Sequence, residues 1–341
     1  PPRFTLDRSS AASDVYKRQG QGLRALAVGT GMGVGGGPAT RDRLVGVANP
    51  GCGPTRRGRD PGVREPMMRR TALITIARGR HRHLRRQIQG VARTTRPPDL
   101  HIVVAMSDPE IRTVAGDHPA TIVIDLPART ETLPLARARN VGARRAIEAG
   151  AELLVFLDVD CIPGTKLVEH YRRAAETHAG QSLLFCGPVT YLRPDQTSDD
   201  LTAYTNPHPA RPAPVPGHVV VDDQMTLFWS LSFALNADHW QAIGGFHEEY
   251  RGYGGEDTDF AMLAADRGFA IAWVGGADAY HQHHPVSDPP VEHVDDILRN
   301  GEMFRRRWGH WPMGGWLRDF EAAGLIVHDE QRDLWRRTVI E

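Results

Sequence analysis

Between Gly244 and Phe260 the chain reads GGFHEEYRGYGGEDTDF, with Glu248, Glu249, Glu256, Asp257 and Asp259 crowded among glycine pairs and aromatic residues. Glycine pairs permit tight turns and close approach of a ligand to the main chain. Carboxylates in the first turn of a helix suit its positive end, and one of them set against a substrate hydroxyl is also a candidate general base. A second acid pair, Asp158 and Asp160, ends the most apolar run of the chain. Strand alternation would point both carboxylates the same way. Hard oxygen ligands there suit Mg²⁺ or Mn²⁺, ions that usually keep positions open for phosphates. The histidines at 281, 283 and 284 fit a zinc site, a surface cluster, or a single imidazole completing the same metal site, and an imidazole beside a carboxylate favours Mn²⁺ over Mg²⁺. Arg78 and Arg80 follow the first apolar run and offer planar, permanently charged donors for phosphate.

The elements needed to position these groups can be read from apolar periodicity. Short runs at Thr71–Ala77, His101–Met106, Thr121–Asp125, Leu153–Leu157 and Leu183–Val189 read as strands, and His83–Val91, Leu135–Ala149 and about Thr165–Thr177 as helices. This alternation predicts an α/β fold with a mostly parallel central sheet, right-handed crossovers and flanking helices. Ligands bind at the carboxyl ends of such strands, where Arg78, Arg80, Ser107, Asp158 and Asp160 all fall. A Pro-rich stretch over 193–219 is too long for a simple connection and reads as a binding loop, a lid or a mobile segment. Beyond it come a strand at Trp229–Leu235, helices at Ala237–Ile243 and from Glu256 to Arg267, and a strand at Phe269–Val274. The aromatic helical tail, with Trp308, Trp311 and Trp316, reads as core packing.

Composition narrows the function. The chain has 341 residues, with 41 Lys+Arg against 41 Asp+Glu, so no global field favours nucleic acid or an anionic membrane. Residues 1–66 hold 11 basic and 5 acidic side chains with 13 Gly and 7 Pro. They read as a disordered or adventitious leader, with synthesis starting at Met67 or Met68. The remainder is mildly acidic, against a nucleic-acid groove. Three cysteines without CxxC spacing indicate neither a disulfide framework nor a cysteine metal site. No run approaches the roughly 18 apolar residues of a transmembrane segment, and cytoplasmic residence is the default.

Six motifs in order, TIARGRHRHL, ARARNVG, LVFLDVDCIP, WSLSFALNADHWQAIGGF, GYGGEDTDF and AYHQHH, resemble family 2-type glycosyltransferases of GT-A fold. The likeness is greatest to beta-1,4-galactosyltransferases and the catalytic modules of bacterial chondroitin polymerases. It implies a single GT-A domain over 67–341, with a nucleotide-binding half at about 71–190, an acceptor and metal half at about 220–310 and the tail over 290–341. It further implies that Ala77, Arg78, Arg80 and Asp158 contact the nucleotide sugar, that Asp160 and His281 bind Mn²⁺ (or Mg²⁺), that Glu256 and Tyr253 hold the acceptor, and that Asp257 is the catalytic base. The expected reaction is inverting transfer of a hexose or N-acetylhexosamine from a UDP-sugar donor to a carbohydrate or glycoconjugate acceptor. Thr258 replaces a third acid of the family pattern, Tyr253 stands where galactosyltransferases carry Trp, and the disulfides of the animal enzymes are missing, departures that bear on donor and acceptor identity. A catalytically inactive nucleotide-sugar-binding module and a metal-dependent nucleotidyltransferase are the alternatives.

Overall fold

Seven apolar or β-branched residues form β1 (Thr71–Ala77), and all seven are buried, as in a strand covered on both faces. The computed structural model describes residues 69–338 except 117–118 and 128–131, so the expected leader lies outside the described residues. Helix α1 (His81–Ala92) turns Leu84, Gln87 and Gly90 inward. It starts two residues before the apolar period does, because Asp108 fixes His81, Nε2 to Oδ2 2.9 Å. Then follow β2 (Leu100–Met106), the short α2 (Glu110–Ala115) and β3 (Thr121–Leu126), a largely half-buried edge strand. Helix α3 (Leu135–Glu148) lies close on the sheet at Gly142, where a Cβ would come within 2.5 Å of Ile74 Cγ2.

After β4 (Leu153–Leu157) the chain makes β5 (Cys161–Pro163), α4 (Leu167–Thr177), β6 (Leu183–Cys186) and β7 (Val189–Tyr191). The single strand expected over Leu183–Val189 is therefore two strands in different sheets. Pro188 has no N–H to donate, and a side chain at Gly187 would meet the Tyr171 hydroxyl at 2.8 Å, so the chain leaves the first ladder there. The second half adds β8 (Val219–Asp222), β9 (Ser232–Asn236), α5 (Ala237–Ile243), α6 (Glu256–Asp266), β10 (Ala270–Val274), β11 (Ala279–His281), α7 (Val294–Trp308), α8 (Gly314–Ala322) and the hairpin β12 (Ile326–Asp329) with β13 (Leu334–Arg337).

The eight-stranded sheet has the order β3-β2-β1-β4-β9-β6-β10-β8. β3, β2, β1 and β4 run parallel, as do β6 and β10, while β9 is antiparallel to both its neighbours and β8 to β10. The expected α/β class with a mostly parallel, helix-flanked sheet is what the structure has. Its strands alternate between two cores: Ile74 and Ile76 face α3, α5 and α6, and Leu73 and Val155 face α4 and α8. A separate sheet, β5-β11-β7, sits at the site and pairs His281 with both Cys161 and Tyr191. Among the described residues no helix is long and apolar enough to cross a membrane.

The Pro-rich stretch is pinned at its centre. The Arg211 guanidinium lies 4.8 Å from the Trp229 ring and 4.7 Å from the Trp273 ring, and the His208 ring meets Trp229 at 5.1 Å. Stacking of a desolvated guanidinium on two indoles is favourable and holds the middle of the segment on the sheet. The tail joins the core mainly through Trp316, which is buried. Trp308 instead donates its indole N–H to Asp259 Oδ1 at 2.7 Å, beside Arg307 Nε at 2.7 Å and the Tyr250 hydroxyl at 3.1 Å. Asp259 thus ties α6 to the end of α7. Asp259→Ala strands these three donors, and we expect it to lower unfolding free energy by about 2–4 kcal/mol, read as a shift of the urea midpoint; an unshifted midpoint would contradict this role.

Candidate active site

The acid pair does not follow strand alternation. β4 stops at Leu157, and Asp158-Val159-Asp160 turns directly into β5, closed by Cys161 N–H donating to the Asp158 carbonyl at 2.8 Å. The two carboxylates leave the turn toward different partners.

Asp158 Oδ1 accepts from Arg139 Nη2 at 3.1 Å, and Arg139 Nη1 donates to Glu256 Oε1 at 3.2 Å. All three side chains are buried, and the guanidinium also lies 5.3 Å from the Phe246 ring. Burial opposes the charge on Arg139, but Asp158, Glu256 and Asp257 outweigh it and hold the guanidinium above its ordinary value. Burial pushes Asp158 up to about 6; Arg139 pulls it down, and the neighbouring Asp160 and Glu256 carboxylates add to the rise. Glu256 Oε2 is buried with no hydrogen-bond partner among the described residues.

Asp160 is fully buried, with Oδ2 3.5 Å from His281 Nε2 and 3.6 Å from His284 Nε2. Burial alone would raise its pKa, yet His281, His284 and Arg80 hold it far below the usual carboxylate range. Oδ2 makes no hydrogen bond of good geometry, and one donor atom from each of the three residues lies within 4.8 Å of the others. An orphaned carboxylate oxygen facing two imidazole nitrogens fits a divalent cation. His284 is the member to which sequence reasoning gave no separate role. The small sheet ends at His281, so spacing could not tell which of the next residues turns inward; His283 points to solvent.

Ala77 is the last residue of β1, and Arg78 and Arg80 are half-buried just beyond it. Gly79 and Arg80 both have left-handed φ, 60° and 50°. Asp108 shapes this bend by accepting from Gly79 N–H at 2.6 Å, from Glu110 N–H at 3.1 Å and pairing with His81. Burial pushes the Asp108 carboxyl up, but those donors prevail and lower it. Arg80 acts electrostatically on both Asp160 and His83, so this strand end faces the metal candidate. Sequence reasoning placed Asp108 only in a polar strand-end run, and Arg139 only inside a motif; a buried charge gives no sequence signal until its partners are known.

At the other wall, left-handed Gly255 (φ 92°) precedes α6, whose first turn carries Glu256 and Asp257. Asp257 is buried, accepts from Thr258 N–H at 2.8 Å and lies within electrostatic reach of Arg139. The Tyr253 ring stacks on His293 at 4.3 Å and Trp316 at 5.6 Å. Asn300 Nδ2 holds the intervening bend through the carbonyls of Arg251, Tyr253 and Gly254. The structure therefore groups Asp160 with His281, links Asp158 to Glu256, and sets Asp257 beside that link; Tyr253 belongs to the tail side of the same bend.

A strand-end acid turn, an inward histidine pair and an acidic helix start thus come together. The family described as the N-terminal domain of galactosyltransferase matches residues 219–285, which include β8 through His284. Two curated relatives are both validoxylamine A glucosyltransferases, from Streptomyces hygroscopicus subsp. jinggangensis, 29% identical over 51% of this chain and 44% of that protein, and from S. hygroscopicus subsp. limoneus, 28% identical over 51% of this chain and 41% of that protein. The chain thus spans less than half the length of these relatives. Among solved structures, S. aureus TarS in complex with UDP-GlcNAc aligns over 77% of each chain at 12% identity, with a TM-score of 0.49. The chain resembles galactosyltransferase-type glycosyltransferases.

Arg139→Met leaves Asp158 and Glu256 as buried carboxylates without their cation. We expect a loss of about 3–5 kcal/mol in urea unfolding; stability equal to that of the parent chain would show that the bridge contributes nothing net.

Proposed function

We infer that the chain is an inverting GT-A glycosyltransferase that moves a hexose or N-acetylhexosamine from a UDP-sugar to an acceptor hydroxyl. The observation that carries this reading is the juxtaposition of two charge clusters in one turn: Asp160 facing two imidazoles, and Asp158 bridged by Arg139 to the acidic start of α6. The family match over 219–285 supports it by covering both the α6 start and the histidine segment.

On this reading Ala77, Arg78, Arg80 and Asp158 bind the nucleotide sugar within a half at about 71–190. The half at about 220–310 supplies the acceptor wall, with Glu256 and Tyr253, and the metal-binding histidine. Asp160, His281 and His284 would hold Mn²⁺, with Mg²⁺ the weaker fit because imidazole is the softer ligand. When bound, the cation would neutralise charge on the departing diphosphate. Arg80 adds a fixed positive charge on the same side. Glu256 Oε2 accepts from an acceptor hydroxyl and orients it. Asp257 takes the proton of the attacking hydroxyl as its oxygen bonds to the anomeric carbon and the bond to the diphosphate breaks. A single displacement of this kind inverts the anomeric centre. Cytoplasmic residence is part of this reading.

The names of the relatives put glucose first among the sugars and validoxylamine A first among acceptors to try. In a screen of UDP-glucose, UDP-galactose, UDP-GlcNAc and UDP-GalNAc, with and without Mn²⁺, we expect UDP release that requires the metal and accelerates with the right acceptor. Release of pyrophosphate from a nucleoside triphosphate would instead point to nucleotidyl transfer. Asp257→Asn should lower turnover by about 10²- to 10⁴-fold, and undiminished turnover would remove Asp257 as the base. Asp160→Asn should abolish Mn²⁺ binding followed by electron paramagnetic resonance, whatever the donor.

A further inference from the structure

The turn that carries the acid pair is buried, with Asp160 and Cys161 at 0% exposure and Asp158 at 8%. Its backbone carbonyls therefore need protein donors, because an unpaired buried carbonyl costs free energy comparable to a lost hydrogen bond. The side-chain amide of Gln87 and the backbone N–H of Gln282 supply them. Gln87 sits on the inner face of α1 with Leu84 and Gly90, a position where an aliphatic side chain would be ordinary. Its Nε2 instead donates to the Asp158 carbonyl at 2.7 Å and the Cys161 carbonyl at 3.0 Å, and its Oε1 accepts from Thr75 Oγ1 at 2.9 Å. Gln282 lies between the two inward histidines. Its backbone N–H donates to the Asp160 carbonyl at 2.8 Å, and its Nε2 to the His83 carbonyl at 3.1 Å.

We propose that Gln87 and Gln282 are a pair of positioning residues that clamp the Asp158–Asp160 turn between α1 and the histidine segment, so that Asp160 faces His281 and His284. The chemistry is specific to a primary amide. Only an amide offers two donors on one nitrogen and an acceptor beside it without charge; a carboxylate at 87 would face two carbonyl oxygens, and a methionine would fill the space while bonding neither. The clamp also joins two parts of the site that approach from different ends of the chain. α1 begins at the Arg78–Arg80 bend, and Gln282 follows His281 directly, so displacement of either element is transmitted to the turn through these bonds. Orientation of metal ligands by outer hydrogen bonds has this form, with losses of roughly 10–100-fold in affinity when the supporting group is removed.

The proposal rests on the reading that this site holds a divalent cation and a sugar nucleotide. Its test is Mn²⁺ affinity of the full chain, measured by electron paramagnetic resonance of free Mn²⁺, beside urea unfolding and the UDP-release assay. Gln87→Met and Gln282→Met are expected to unfold cooperatively yet bind Mn²⁺ about 10–100-fold more weakly. The Mn²⁺ concentration for half-maximal activity should rise by the same factor, while turnover at saturating Mn²⁺ recovers to near that of the parent chain. A merely structural role would shift the urea midpoint and leave Mn²⁺ affinity within about twofold, and that result overturns the clamp. If Gln87→Met fails to unfold cooperatively, Gln282→Met, which keeps the backbone bond to the Asp160 carbonyl and removes only the side-chain bond tying the histidine segment to the His83 carbonyl of α1, decides the matter on the same readout. A parent chain that binds no more Mn²⁺ than Asp160→Asn overturns the metal reading itself, and the clamp with it.

Discussion

A guanidinium sealed from water between two carboxylates is the interaction on which the arrangement of the site depends. Arg139 on α3 reaches Asp158, 19 residues away, and Glu256, 117 residues away, and so fixes the end of β4 against the start of α6. Burial disfavours the charge on Arg139 and on Asp158, and their mutual attraction opposes that cost. Together they are tolerated, and the arrangement leaves one oxygen, Glu256 Oε2, without a partner. The bridge thus holds one buried carboxylate oxygen beside the acid turn.

The second constraint is backbone geometry. The three-stranded sheet β5-β11-β7 brings His281 opposite Cys161, the residue after Asp160, so pairing alone sets an imidazole beside the acid turn. The left-handed bend at Gly79 and Arg80, fastened by Asp108, sends α1 off at an angle that delivers Gln87 beneath the same turn. Left-handed Gly254 and Gly255 then let the acidic start of α6 approach from the far side, while Asn300 holds the Tyr253 and Gly254 carbonyls. Charged groups converge here because tight bends held by polar side chains, Asp108 at Gly79 and Asn300 at Gly254, bring their segments together.

Much of this was legible in the chain itself. The apolar runs named most of the strands and helices, since a strand buried on both faces is largely apolar, as β1 and β4 are. Proline and glycine marked where strands end, although the break at Gly187-Pro188 separates two sheets rather than bending one. The alternation argument failed at Asp158 and Asp160 because it holds only while the backbone is extended, and the strand closes one residue earlier. Among the histidines, 284 faces the acid and 283 faces solvent, a choice made by a loop conformation that has no period.

By itself, then, the sequence determined the α/β class, the strand-end location of the site and the kinds of side chain available there, because burial and backbone preference act locally and leave a periodic trace. Only the tertiary structure decided which of those side chains meet. Arg139, Gln87, Asp108 and His284 acquire their places through partners tens to hundreds of residues away, and hydrogen bonds or ion pairs between such distant groups impose no spacing on the chain.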